Sequence, residues 1–135
     1  MRLASLICLA SIALPAVAQD GRPIPVEEWR DRALGNSVRY FIGETYIGRE
    51  FYLPDGRSVR YEAADGQCQE GLWTHKDGTY CFFWPNGPVC AAHIDLGDGL
   101  IEFPTVDGDG NLVPDDTQFG ELVEGGFSCA PMVIG

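Results

Sequence analysis

The chain has 135 residues, with 20 Asp and Glu against 9 Lys and Arg, a formal net charge of −11 at pH 7. That imbalance disfavours a nucleic-acid partner or an anionic membrane surface, because both would repel it. The length admits one compact domain rather than two.

Residues 1–18 read as a signal peptide. Arg2 supplies the basic start, Leu3 to Leu14 an apolar run, Pro15 a break and Ala16-Val17-Ala18 the small-x-small pattern of a cleavage site. The run is too short for a membrane anchor. Leu6-Ile7 before Cys8 lack the small residue that a lipoprotein signal places there. Cleavage before Gln19 leaves a single disulfide-stapled domain over 19–135, periplasmic or secreted. It takes away Arg2 and no acid, so the mature chain carries 8 basic and 20 acidic residues, a formal charge of −12. No Lys or Arg follows Lys76, while ten Asp and Glu do.

After a polar, proline-containing lead, VEEWRDRALG is the one predicted helix. Glu27 and Glu28 suit its first turn, Val26, Trp29 and Ala33 share a face, and Gly35 can end it. Everything beyond reads as strand and turn. SVRYFI puts Val38, Tyr40 and Ile42 on one face; REFYL places Phe51 with Leu53; SVRYEA alternates Val59, Tyr61 and Ala63 inward with Arg60 and Glu62 outward. QCQEGLWTH, TYCFFW, PVCAAHIDL, LIEFPTV and TQFGELV continue the series, punctuated by PDG, ADG, KDG, PNG, GDG and DGDGN. This spacing predicts an all-β antiparallel meander that closes into a small barrel or a strongly curled sheet, calycin-like by analogy, with the helix over one end. Both faces of TYCFFW are apolar, which predicts a strand covered on both sides.

Losing Cys8 leaves Cys68, Cys81, Cys90 and Cys129, an even set that in an exported domain reads as two disulfides. There is no C-x-x-C, and His75 and His93 fit no zinc spacing. A two-residue Asn86-Gly87 turn would set Cys81 and Cys90 diagonally, roughly 7–8 Å apart, whereas a disulfide needs Cβ atoms about 3.5–4.5 Å apart. A longer loop, Trp84 to Gly87, puts them directly opposite. Cys81–Cys90 is therefore expected, and Cys68–Cys129 by elimination. Chain-entropy arithmetic makes the short loop worth about 2.7 kcal/mol and the long one about 4.3 kcal/mol. A structural role is preferred to a redox one, because a low-pKa thiol needs a nearby cation or helix start and no Lys or Arg lies between Cys81 and Cys129.

In VDGDGNLVPDD, Asp107, Asp109 and Asn111 fall at the first, third and fifth positions of an oxygen-ligand calcium loop. Leu112 and Gln118 stand where an EF-hand needs Gly and Glu, so that match fails. A looser calcium turn adding Asp115 or Asp116 competes with a plain polar hairpin turn. Calcium is the one cofactor the sequence raises. No serine sits in a nucleophile elbow, and His75 and His93 read as surface or sheet-face residues rather than general bases. The dense aromatics between Tyr40 and Trp84 read as a packed core, with a ligand cavity as the alternative.

LGNS after the helix, FYLPDGR, GLW and YCFFWPNGPVC together resemble a family of small exported alphaproteobacterial proteins classed as a domain of unknown function. That family has G-N-T after its helix, an aromatic-x-x-P-D-G hairpin, a G-x-W strand and a C-x8-C pair. The resemblance covers about residues 30–95 and implies the hairpin disulfide but no catalytic residue. The acidic tail, Cys68 and Cys129 depart from it.

Three functions are compatible with these features. The first is an exported non-enzymatic binding domain, an inhibitor or modulator of a basic envelope protein. The second is a β-barrel carrier of a small apolar ligand. The third is a carboxylate-based hydrolase, calcium-assisted or not, which requires two carboxyls in one cleft.

Overall fold

The computed structural model describes residues 21–129; the predicted signal peptide and its cleavage site lie outside them. In chain order the elements are β1 (Arg22–Pro23), α1 (Val26–Ala33), β2 (Ser37–Ile42), β3 (Thr45–Tyr52), β4 (Ser58–Ala63), β5 (Cys68–Lys76), β6 (Thr79–Trp84), β7 (Gly87–Ala91), β8 (Ile94–Gly97), β9 (Leu100–Val106) and β10 (Leu112–Val123). Strands β2 to β7 form an antiparallel meander, β9 pairs with β10, and β10 returns to β2. Ala91 opposite Thr105 joins β7 to β9 and completes a closed barrel of eight strands. That seam is short, one bridged pair plus the Ala92 N–H donating to the Pro104 carbonyl at 3.0 Å. Strand β8 stands outside the ring, holding β9 on one side and β1 on the other.

Helix α1 closes one end. Gly35, at φ +81°, stops it in the left-handed region that a glycine enters without steric cost, and its N–H donates to the Tyr52 carbonyl at 2.8 Å. Trp29 and Ala33 are fully buried. The Trp29 ring meets Tyr52 of β3, Tyr80 of β6, Phe103 of β9 and His93 of the β7–β8 connection, all edge-on at centroid distances of 4.6–6.2 Å. The helix is fastened by Arg32 to Asp95 at 2.9 Å and, through its lead, by the Tyr80 hydroxyl donating to the Ile24 carbonyl at 2.8 Å.

Inward alternation holds where predicted for Val38, Tyr40, Val59 and Tyr61, but two expectations, for Ile42 and for Phe83, are corrected. Ile42 is 55% exposed at the end of β2, beside the Gly43-Glu44 turn; the bulge opposite Tyr40 and Phe41 lies on β3, where Ile47 is the extra residue. On β3 the inward set is Gly48, Glu50 and Tyr52, so Phe51 faces outward against Phe127. Phe83 is 47% exposed, so β6 is covered on one side only.

Both disulfides are present, Cys81–Cys90 and Cys68–Cys129. Cys81 lies directly opposite Cys90, the expected register, but pairing runs on to Trp84–Gly87 and leaves Pro85-Asn86 as a tighter turn than expected. The segment after β10 is strapped over the outside of β2–β4. Ser37 Oγ donates to the Gly125 carbonyl at 2.7 Å, Arg60 donates to the Phe127 carbonyl at 2.6 Å, and the Arg49 guanidinium lies 4.0 Å over the Phe127 ring.

Trp29→Ala removes the largest apolar group from the closed end and should lower the unfolding free energy by about 3–5 kcal/mol. Urea unfolding followed by far-UV circular dichroism measures it, and a loss below about 1 kcal/mol would contradict the plug.

Candidate functional site

Eight strands enclose an interior just wide enough either to be filled by side chains or to hold one small ligand. Here both happen. Trp29 and its partners fill the helix end, and at the opposite end a cavity of about 260 Å³ opens among Tyr40, Tyr61, Phe82, Trp84 and Phe103. Two glycines make room for its walls. A Cβ at Gly48 would overlap the Tyr61 ring, and one at Gly71 would meet Trp84 and the Phe83 carbonyl. Tyr61 is held in place by donating its hydroxyl to the Ile47 carbonyl at 3.1 Å.

Two ionisable groups, neither of them a tyrosine, line this cavity, and both are buried. Glu50 is 4% exposed. It accepts a hydrogen bond from the Tyr40 hydroxyl at 3.0 Å. The Tyr52 hydroxyl also lies close enough to lower its pKa, but outside hydrogen-bonding geometry. Neither phenol carries a positive charge, and burial wins: the Glu50 carboxyl is pushed up to about 7. The same burial holds both phenols well above their ordinary value, so they remain protonated donors. Among the described residues no Arg or Lys forms an ion pair with Glu50.

His93 is 2% exposed and stacks on Tyr80 at 3.7 Å, with Trp29 and Phe103 edge-on at 4.6 and 4.8 Å. Both ring nitrogens lack a hydrogen-bond partner; the neighbouring Ala92 backbone favours the charged form but makes no bond of good geometry. Burial pushes its pKa down to about 3, so the ring is neutral at physiological pH, with one N–H and one lone pair. This corrects the expectation of a surface or sheet-face histidine, since His93 lies between β7 and β8 and inside the barrel.

The remaining predicted residues lie elsewhere. The four cysteines are structural staples on β5, β6, β7 and the C-terminal segment. Asp107 turns its carboxylate onto its own loop, accepting from the N–H groups of Asp109 and Asn111 at 2.9 Å each. Asp109, Asn111 and Asp115 are exposed, and among the described residues no three His, Cys, Asp or Glu side chains converge on a common point. His75 packs at 4.6 Å from Tyr80, away from the cavity lining.

Strand register sorts the chain's charge between the two ends. The turns at the open end carry Glu44, Asp65, Asp107 and Asp109, all exposed, and no Lys or Arg. Arg22, Arg30, Arg32, Arg57 and Lys76 gather at the helix end, while Arg39, Arg49 and Arg60 pair with Glu121, Glu62 and Glu70 on the outer strand faces. The mouth of the cavity is therefore uniformly acidic.

No protein-family model matches the chain, and no curated protein matches it significantly. Among solved structures it is similar to a "putative beta-lactamase" from Burkholderia vietnamiensis, at 20% identity and a TM-score of 0.42, over 67% of this chain and 92% of that one. A likeness of this degree bears on neither activity nor site.

The two buried groups make opposite demands on pH. Between pH 4.5 and about 7 the unfolded chain releases a Glu50 proton that the folded chain keeps, so stability falls as pH rises, by about 3 kcal/mol in full. Between pH 6.5 and about 3 the unfolded chain takes up a His93 proton that the folded chain refuses, so stability falls as pH falls, by about 5 kcal/mol. Where the windows overlap the slopes cancel. Urea midpoints of Glu50→Gln should climb with pH up to about 6.5 and then level, while those of His93→Phe should decline between about 4.5 and 7. Parallel profiles for both variants and the parent would contradict these assignments.

Proposed function

We propose that the chain is an exported, non-enzymatic binding protein that takes one small molecule into the open half of its barrel. One observation carries this reading: a buried carboxyl and a buried, unpartnered imidazole both face an aromatic cavity that the packed core leaves open. Natural interiors rarely keep polar atoms unpaired without a use, since each costs about 1–3 kcal/mol. Export fits the two disulfides, which persist in oxidising compartments.

The cavity changes the order of the readings that composition alone favours. A purely apolar ligand would leave His93 without a hydrogen-bond partner and Glu50 with Tyr40 alone, so the ligand has a polar head as well as an apolar body. The hydrolase reading needs two carboxyls in one cleft, and Glu50 is the one carboxyl among the described residues that line it. A basic protein partner remains the second reading, resting on the acidic turns of the open end.

Ala91 is a small buried residue on the cavity wall. Ala91→Leu should fill the space, change stability by less than about 1.5 kcal/mol, and abolish binding. Native mass spectrometry of parent and variant, each incubated with a small-molecule extract of the expressing cells, reads this as a bound mass present on one and absent on the other. No bound species on the parent would overturn the interior site. One carried equally by both would place the ligand elsewhere.

A further inference from the structure

We propose that the molecule bound in the open half is a small organic ammonium ion, with Glu50 as its counter-ion and the surrounding aromatic rings as its walls. The assignment of ligand class rests on the interior-site reading above and sharpens it.

Charge decides the sign of the ligand. Glu50 has no cationic partner among the described residues, and His93, the other buried ionisable group on the wall besides the tyrosines, is neutral. An anionic ligand would meet a carboxylate with only hydroxyl and amide donors to offset the repulsion. A neutral ligand would leave the ionised form of the buried Glu50 without a positively charged partner. A cation removes that defect, and the His93 lone pair offers its N–H groups a second acceptor beside Glu50.

Shape points the same way. Tyr40, Tyr61, Phe82, Trp84 and Phe103 line the cavity, and aromatic walls attract ammonium groups through the negative faces of their rings. The cavity has room for about nine water-sized units, which suits one ring with a short amine-bearing arm. Approach is favoured as well. A cation nearing the open end passes Glu44, Asp65, Asp107 and Asp109 and meets no Lys or Arg on the connecting turns, so the field draws it in and turns anions away.

Binding is coupled to a proton. Glu50 is faced by Tyr40 from β2, Tyr52 from its own strand and Tyr61 from β4, with His93 across the cavity, and none of these is positively charged. The empty site therefore holds its carboxyl protonated through mildly acidic pH, and an arriving ammonium must displace that proton.

Isothermal titration with a matched set of probes tests the proposal: 2-phenylethylamine, 2-phenylethanol and phenylacetate at pH 8, and phenyltrimethylammonium, whose charge does not titrate, from pH 5 to pH 8. The amine should bind at least tenfold more tightly than the alcohol, with phenylacetate weakest. Phenyltrimethylammonium affinity should rise up to about tenfold per pH unit to pH 7 and then level. Glu50→Gln, which keeps the shape of the site, should weaken the amine by about 30-fold or more and remove the pH dependence. Tyr61→Leu should weaken phenyltrimethylammonium while leaving that pH dependence in place. Equal or tighter binding of the alcohol or the carboxylate would overturn the ammonium assignment while sustaining an interior site. Binding of none of the probes would also overturn it, and the mass-spectrometric comparison of parent and Ala91→Leu then decides separately whether the cavity is used at all.

Discussion

The Trp29 side chain divides this barrel into two halves with different chemistry. A closed ring of eight strands has a fixed bore, and an indole entering from one end fills only the depth it can reach. Its edge contacts to Tyr52, Tyr80, Phe103 and His93 set the level at which packing stops. Above that level the space between Tyr40, Tyr61 and Trp84 stays open, and among the described residues no second helix enters it. The cavity is thus what one short helix leaves behind. The fastening of that helix, by Arg32–Asp95 outside and Tyr80–Ile24 inside, fixes the floor of the site.

The floor is also where the fold carries its energetic burden. Glu50 and His93 are buried in the environment that each disfavours when charged, one held toward its acid form and the other toward its neutral base. Apolar replacements of similar volume would pack as well without the desolvation cost. Stability spent in this way marks functional sites, where buried polar groups persist because binding requires them. The opposite signs of the two shifts have a further effect, since over the mildly acidic range one group gains stability as the other loses it.

The outer shell compensates. Cys81–Cys90 pins the β6–β7 hairpin beside the short β7–β9 seam, the weakest join of the ring. Cys68–Cys129 holds the C-terminal segment across β2–β4, where Arg60 and Arg49 add a hydrogen bond and a cation–π contact to Phe127. A cross-link over a long loop restricts the unfolded chain most, and here it restrains the strands that carry Tyr40, Glu50 and Tyr61. The staples thus act at a distance on the geometry of the cavity.

Much of this architecture is legible in the residues alone. Four cysteines in a hairpin-rich chain lead to the observed pairing, because a disulfide between neighbouring strands tolerates only one register. The helix follows from Trp29 and Ala33 on one face with Gly35 beyond, and the barrel from turn residues at short, regular intervals. Val38 and Tyr40 of β2 and Val59 and Tyr61 of β4 follow from alternation, while the two apolar faces of β6 leave its inward side open. The site does not. On β3 both faces mix polar and apolar residues, Arg49 and Phe51 against Glu50 and Tyr52, so alternation leaves the inward face undecided. Only closure of the ring, with the C-terminal strap covering Phe51 from outside, sends Glu50 to the interior. His93 sits in a connection that local pattern reads as strand, and its burial is set by the Trp29 and Tyr80 rings packed against it. Local sequence determines pairing and periodicity because those depend on near neighbours. Which polar group ends up in the dark depends on contacts between residues far apart in the chain, and the tertiary structure alone decides it.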